Sequence, residues 1–471
     1  MYQSFIGLEI HIQLLTKSKV FCGCANRYGD PPNTNVCPVC LGYPGTLPAL
    51  NEEAMKLSYI VARALHCELS AQAIFDRKNY FYPDIPKNYQ ISQIVSPLGR
   101  NGYIEIAYNG KKKRVRIHEL HLEEDAGKMI HAGDMSLLDY NRAGVSLLEI
   151  VTEPDMEAGE EAEILLQNFR RMVRYLGVCD GNMEESSMRC DGNVSVNIAG
   201  AGLGRKVEIK NLNSSRFVKL ALNYEIERQK EVLDSGGKII QETRLWNENR
   251  DLTEPMRTKE SAYHFPDPDL EPFVPSPEFL AEVDSRLVEL PEARKERFRK
   301  DYGLNEAAAE FLVNEKTTAD FYEEAVQAGA APEAAANWLQ YDVQKILNRD
   351  NRELADCPLT AKRLAELLGL LAGGRIHGKI AKQLLEAVFA EDKDPALIIK
   401  EKGWESMDDS SELGAIVDKT LAENAKALAA VKAGDPKPMG FLVGQIMKAT
   451  GGRAQPQLVQ KLLKEKIEGG A

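Results

Sequence analysis

Tyr103-Ile-Glu-Ile-Ala-Tyr108, then Asn109-Gly110, then Lys111-Lys-Lys-Arg-Val-Arg-Ile-His118 reads as two strands and the turn that joins them. Asn-Gly between alternating runs is the strongest short hairpin signal, because the two-residue turn that matches strand twist needs positive φ at both positions. Upstream, Gly7-Leu-Glu9-Ile-His11-Ile-Gln13 alternates strictly. On a strand, Glu9, His11 and Gln13 therefore share one face while Leu8, Ile10 and Ile12 fill a core. Helical spacing over residues 51–66, 157–176 and 215–235 sets helices among these strands, the second stopping at Gly177 and the third running from Ser214 to Gly236-Gly237. Residues 1–290 thus read as an α+β domain. Beyond the Pro-dense linker Pro266-Asp-Pro-Asp-Leu-Glu-Pro-Phe-Val-Pro-Ser-Pro277 the composition turns to Ala, Glu, Leu and Lys with no convincing strand, so an all-α region is expected from about residue 290.

A chain of 471 residues, 44% hydrophobic and 28% charged, has ample material for more than one core, which excludes wholesale disorder. Its net charge of −12 is wrong for an electrostatic sponge for nucleic acid, so any such contact needs a local basic patch. One exists: from residue 431 onward seven basic residues face three acidic ones, a local +4. No run of 18 apolar residues and no signal-peptide pattern at the start point to a cytoplasmic protein without membrane contact.

Four of the eight cysteines crowd together as Cys22-x-Cys24 and Cys37-x-x-Cys40. Two close pairs, each presented by a turn rich in Gly, Asn and Pro, suit a tetrahedral all-sulfur Zn²⁺ that holds residues 20–42 together and leaves no position open for chemistry. The other four stand singly and read as small core residues.

Acids recur on the strand-like segments: Glu9, Glu123-Glu124-Asp125, Glu149 within an apolar run, Asp191 and Glu208. Each alone is an ordinary solvent-facing residue. Together, with His11, they suit hard divalent cations, which want oxygen ligands and bring phosphates with them, and Mg²⁺ bridging nucleotide phosphates is the leading expectation. No P-loop is present, and Gly200-Ala-Gly-Leu-Gly204 lacks the dinucleotide spacing and reads as a hairpin loop.

Long stretches carry a resemblance: residues 7–13 and 22–42, Tyr80-Phe-Tyr-Pro-Asp-Ile-Pro-Lys-Asn-Tyr-Gln90, residues 121–128 and 139–155, Ser187-Met-Arg-Cys-Asp191, Glu208-Ile-Lys-Asn-Leu-Asn213 and Val443-Gly-Gln-Ile-Met-Lys-Ala-Thr450. In these the chain resembles the GatB family, the B subunits of aspartyl/glutamyl-tRNA(Asn/Gln) amidotransferases. The resemblance implies a ligase that turns Glu-tRNA(Gln) or Asp-tRNA(Asn) into the amide, with a catalytic cradle of the glutamine-synthetase type at residues 1–290. ATP phosphorylates the side-chain carboxylate there and ammonia displaces the phosphate. An amidase-type A subunit would supply the ammonia from glutamine, and a small C subunit would tie A and B together. Carried over by motif, the catalytic set is Glu9, His11, Glu123, Glu124, Glu149, Asp191 and Glu208, with Glu9, His11, Glu124 and Glu149 on Mg²⁺ and Lys78 and Lys210 on ATP phosphates. A helical domain at 291–405 and a YqeY-like tail at 406–471 would follow, the tail meeting the tRNA body through Lys432, Lys437, Lys448, Arg453, Lys461 and Lys464. Departures from the family pattern include Ser146, Gly192, Ser215 and a shortened tract before Phe265. The competing readings are a non-catalytic tRNA-binding adaptor of the same fold and a ligase acting on free glutamate.

Overall fold

A computed structural model describes the chain except residues 259–261, 406–409, 433–436, 452 and 469–471. It divides into two units, Met1–Leu290 and Pro291–Ala471.

In the first unit the order is β1 (Tyr2–Gln13), α1 (Glu52–Ala64), β2 (Glu68–Leu69), β3 (Ile74–Asn79), β4 (Tyr89–Ser96), β5 (Gly99–Tyr108), β6 (Lys111–Glu124), β7 (Lys128–Ala132), β8 (Met135–Asp139), β9 (Ser146–Thr152), α2 (Gly159–Tyr175), β10 (Met188–Ile198), β11 (Val207–Lys210), α3 (Ser215–Asp234), β12 (Glu242–Asn247), β13 (Leu252–Thr258), β14 (Tyr263–Pro266) and α4 (Pro277–Ser285). Nine strands form one sheet in the order β13-β12-β11-β10-β1-β9-β6-β5-β2; β14-β3-β4 form a second, and β7-β8 a hairpin. All pairings are antiparallel except β11 with β12, which α3 connects, as a parallel pair requires a crossover.

The expected hairpin is present. Tyr108 pairs with Lys111, and Asn109 and Gly110 take φ of 49° and 73°. Helix α1 starts where the Asn51 side chain accepts the Glu53 and Ala54 amides, and α3 where Ser214 accepts that of Phe217, each cap satisfying amides that lack a partner within the helix. Gly159, first residue of α2, lies so close to α3 that a Cβ would sit 2.5 Å from the Lys219 carbonyl. Leu8, Ile10 and Ile12 of β1, Leu120 and Leu122 of β6, and Leu148 and Ile150 of β9 are fully buried with Phe169 and Val173 of α2 and Val218 and Leu222 of α3 in one apolar cluster. Gly192 leaves room that Leu222 occupies, its methyl 3.0 Å from where a Cβ would stand. The loop through residues 200–204 joins antiparallel β10 and β11, as its glycines suggest.

One side of the sheet is thereby sealed by helices. The other keeps the odd-numbered residues of β1.

The second unit holds helices and no strand among the described residues. Two separate apolar clusters organise it, one drawn from residues 298–399 and one from 413–467. The domain break expected at 405/406 abuts residues outside the described ones.

Candidate active site and metal centres

Register decides which acids meet. In the ladder around β1, Glu9 faces Asp191 of β10, His11 lies between Glu149 of β9 and Arg189 of β10, and Glu149 in turn faces His121 of β6. Directly paired residues point to the same side of a sheet. The open face therefore gathers Glu9, His11, His121, Glu123, Glu149, Asp191 and Glu208.

They form two groups. His11, Glu123 and Glu149 offer ligand atoms within 4.8 Å of one another, and so do Glu9, Asp191 and Glu208. In the first group Glu149 Oε2 lies 3.4 Å from His11 Nε2 and 3.0 Å from His121 Nε2, and Ser92 donates to Glu123 at 3.0 Å. Burial alone would pull His11 below its ordinary pKa, but the charge and hydrogen bond of Glu149, with Glu123 behind it, push it up to about 9. Glu149 is held well below the usual carboxylate range: burial opposes this, and the two imidazoles outweigh it. In the second group Lys210 Nζ reaches Asp191 at 2.5 Å and Glu208 at 3.4 Å, Asn193 donates to Glu9 at 2.9 Å, and Thr243 donates to Glu208 at 2.8 Å. Burial works to lower the Lys210 pKa, and the charges of Asp191 and Glu208 outweigh it and hold the ammonium above its usual range. His121 Nδ1 and Asn193 Oδ1 are buried without a hydrogen-bond partner among the described residues, so polar capacity is left over at both groups. Mg²⁺ keeps waters and takes one or two carboxylates plus phosphates, and either group fits that demand.

Glu124 is the exception among the expected ligands. One residue on from Glu123, it points to the opposite side of β6, where its Oε1 accepts the Ile91 amide at 2.8 Å and meets Lys87 Nζ at 2.5 Å. It does not join Glu9, His11 and Glu149; Glu123 takes that place. Lys78 stands on β3 of the smaller sheet, cross-strand from Gln90, whose amide donates to the Glu124 carbonyl at 2.6 Å. That places Lys78 on the face of the smaller sheet that meets the acidic floor.

Beyond the expected set, the structure adds His121 and a corner where buried Asp125 takes Arg189 at 2.9 Å and Gln13 at 2.9 Å. His121 precedes Glu123 by two, a spacing that shares a face; Arg189 shows its place only through register.

The four clustered cysteines converge as expected, with sulfurs within 4.8 Å and none in a disulfide. Cys40 Sγ accepts the Cys37 amide at 3.2 Å and lies 3.7 Å from the ammonium of fully buried Lys19. Hydrogen bonding from Cys22, opposed by burial and helped by the Cys37 amide and Lys19, lowers the Cys40 thiol to about 4. Four thiols around one point, one already favouring the thiolate, fit a tetrahedral zinc.

In the tail, Lys432, Lys437, Lys448, Lys461 and Lys464 are exposed, and Arg453 is half-buried with Nε on the Thr450 carbonyl at 3.2 Å. They lie on or beside the helices Ala425–Lys432, Lys437–Ala449 and Pro456–Glu468. Lys461 Nζ lies 3.9 Å from Glu465, and Lys466 is tied to Asp418 and to the Gly414 carbonyl.

Comparison with known proteins identifies the family. A model of the GatB/GatE catalytic domain matches residues 4–281, and a GatB domain model matches residues 320–467. The chain is similar to proteins named as the B subunits of aspartyl/glutamyl-tRNA(Asn/Gln) amidotransferases: it is 48% identical over 475 residues to that of Carboxydothermus hydrogenoformans, covering 99% of each chain. The Persephonella marina protein is 47% identical over 472 residues, covering 99% of this chain and 100% of its own, and the Thermodesulfovibrio yellowstonii protein 45% over 467, covering 98% of each. With both family models matched and nearly half its residues shared along its length, the chain belongs to the GatB family.

Proposed function

We propose that this chain is the activating subunit of a tRNA-dependent amidotransferase, which makes Gln-tRNA(Gln) or Asn-tRNA(Asn) from the misacylated Glu- or Asp-tRNA. The observation that carries the reading is the pair of adjoining three-ligand groups, linked through Glu9 and His11 of one strand. A carboxylate is a poor acyl donor because hydroxide leaves badly; a phosphorylated one loses phosphate readily. Making it requires two anions, the γ-phosphate and the carboxylate, to touch, and phosphoryl transfer is mostly positioning and charge neutralisation. Glu9, His11, Glu123, Glu149, Asp191 and Glu208 would hold Mg²⁺, which supplies that neutralisation when bound. Lys210, which sits beside the second group, and Lys78 would meet phosphate oxygens of ATP. Glu124, turned away, would fix the loop that carries Lys87. The cysteine site would take a structural Zn²⁺.

The finer readings follow from the resemblance: a cradle of glutamine-synthetase type, a helical domain at 291–405, a YqeY-like tail at 406–471 that meets the tRNA body, an amidase-type A subunit and a small C subunit as partners, and a cytoplasmic setting. No helix among the described residues is long and apolar enough to cross a membrane. Intact ligand groups weigh against the non-catalytic adaptor, and the basic tail weighs against a ligase of free glutamate.

The test is ATP-dependent amidation of Glu-tRNA and Asp-tRNA, from ammonium with the chain alone and from glutamine after co-expression with A and C candidates. Glu149→Ala should lower the rate by about 10²–10³, the scale for losing one charge-stabilising group, with tRNA affinity unchanged. No amidation by the assembled complex, or equal loss of affinity and rate in the variant, would refute it.

A further inference from the structure

Among the exposed large apolar residues of the first unit, two aromatic rings lie on edge strand β14 of the smaller sheet and two more follow directly after its partner β3. Tyr263 and Phe265, 72% and 36% exposed, lie on edge strand β14 with ring centroids 5.8 Å apart. Tyr263 pairs with Asn79, the last residue of β3, and Asn79 Nδ2 donates to the Tyr263 carbonyl at 3.2 Å. Phe81 and Tyr82, 83% and 48% exposed, follow just beyond that end. Water-exposed rings grouped in this way mark a binding surface rather than a core.

The surroundings say what kind. Lys78 and His264 are directly paired between these rings, on the other face of the same two strands, and Lys78 makes no ion pair or side-chain hydrogen bond among the described residues. Of the acids near these strands in sequence, Asp267 and Asp269 are both engaged by Arg77, at 2.9 and 2.6 Å, and Asp76 is buried and accepts the Ile94 amide at 2.8 Å, while Asp84 follows Tyr82 by two residues. The patch also continues into the acidic floor: Tyr80, beside Phe81, has its hydroxyl 3.4 Å from Gln90 Oε1, and burial followed by the charge of Glu123 raises its pKa. Two rings on one face of a thin edge and a lysine and a histidine on the other, at the lip of a site that receives a carboxylate, fit a chain with stackable bases and a phosphate backbone.

Resting on the function proposed above, we propose that Phe81, Tyr82, Tyr263 and Phe265 form a stacking platform for the single-stranded 3′ end of the aminoacylated tRNA, with His264 meeting its phosphates as it turns into the acidic floor, where its neighbour Lys78 meets those of ATP. Aromatic faces accept any base, so the platform would serve every tRNA 3′ end alike and leave discrimination between tRNAs to other surfaces.

The test uses the full-length chain and two probes, a tRNA(Gln) transcript and the same transcript lacking its last three nucleotides, with affinities read by filter binding at one salt concentration. Wild-type protein should lose about tenfold or more on trimming, the scale of one stacked base. Phe81→Ala/Tyr82→Ala and Tyr263→Ala/Phe265→Ala should bind intact RNA about tenfold more weakly than wild type and lose little more on trimming. Phe81→Trp should keep wild-type affinity. Because all four rings are exposed, thermal transitions should be unchanged, which separates loss of stacking from loss of fold. Trimming that costs wild type and variants equally, or variants that bind intact RNA like wild type, overturns the platform while tRNA-dependent amidation stands. A wild-type chain that neither binds nor, in the complex, amidates tRNA overturns both readings. If the variants instead lose only assembly with a co-expressed partner protein, the rings are a protein interface and the proposal is wrong.

Discussion

Replacing Glu225 by alanine isolates charges buried directly behind the acidic floor. Its carboxylate is fully buried on α3 and accepts from Arg228 at 2.8 and 2.5 Å, from Gln229 at 3.0 Å and from Thr253 at 3.0 Å, with Arg244 Nε 3.6 Å away. Removing one member of a buried ionic group typically costs about 3–5 kcal/mol, because the partners stay desolvated. Arg244 keeps Glu242 at 2.6 Å and the Thr253 carbonyl at 2.7 Å, and Arg228 is part-exposed, so the loss should fall at the lower end, about 3 kcal/mol. At about 2–4 °C per kcal/mol for a domain of this size, the melting transition of the first unit should drop by about 6–12 °C. The effect should reach the site as well, since Arg244 adjoins Thr243, the donor to Glu208; the variant complex should need more Mg²⁺ for half-maximal amidation. Calorimetry and urea unfolding of the full chain measure the first quantity, a Mg²⁺ titration the second. A double variant, Glu225→Leu with Arg244→Met, should recover much of the lost stability, as buried ionic groups replaced whole by apolar ones often do. A loss below about 1 kcal/mol, well under the range for a broken buried group, or a double variant as unstable as the sum of its parts, would refute the reasoning.

Metal-replete protein should contain one zinc per chain by elemental analysis, and Cys37→Ser should lose it and expose residues 20–42 to proteolysis; zinc-free wild type would end that assignment. His11, raised from 6.5 to about 9, stabilises the metal-free fold when protonated: the contribution is complete below pH 6.5 and is lost as pH rises through 9. Denaturation of the chain in chelator should therefore show stability falling over that window by about 3 kcal/mol from this pair, and Glu149→Gln should flatten the slope; an unchanged slope in the variant contradicts the pairing. Deleting residues 410–471 should raise KM for Glu-tRNA and remove much of the salt dependence of binding, because phosphates that the tail no longer neutralises keep their counterions; unchanged KM and salt slope would make the tail a passive face.

Period-two alternation made β1 legible, and with it the shared face of Glu9 and His11. The Asn109-Gly110 turn, the helix start at Ser214 and the paired cysteines were legible for the same reason: each is local chemistry at short spacing. The run Glu123-Glu124-Asp125 defeats that approach, since neighbours on a strand point apart and only a fixed face chooses between them. Here β6 shifts register between Ile117 and Glu119, and β4 replaces β5 as its neighbour, Gln93 accepting the Leu122 amide at 2.9 Å. Strand β14 is four residues long and pairs with β3 almost the whole unit away, too short a pattern to stand out beside a Pro-rich linker. The β7-β8 hairpin did carry a signal, Gly133-Asp134 between two short runs, but both strands are largely exposed and lack the alternation that marks a buried face.

Strand β1 pairs only with β9 and β10, whose residues come from 147–151 and 188–198. A ribosome adding about 5–20 residues per second needs on the order of 7–28 seconds to travel from the end of β1 to the end of β9, the first of these partners to be made. For that interval the strand that will occupy the middle of the sheet has no partner, and Leu8, Ile10 and Ile12 face water. Its alternate positions are Glu9, His11 and Gln13, polar groups that interrupt the apolar run as charged gatekeepers interrupt aggregation-prone segments. The residues proposed to hold metal ions in the finished protein would thus also guard its first strand during synthesis, and stripping charge from β1 should lower the yield of soluble chain as well as the rate of amidation.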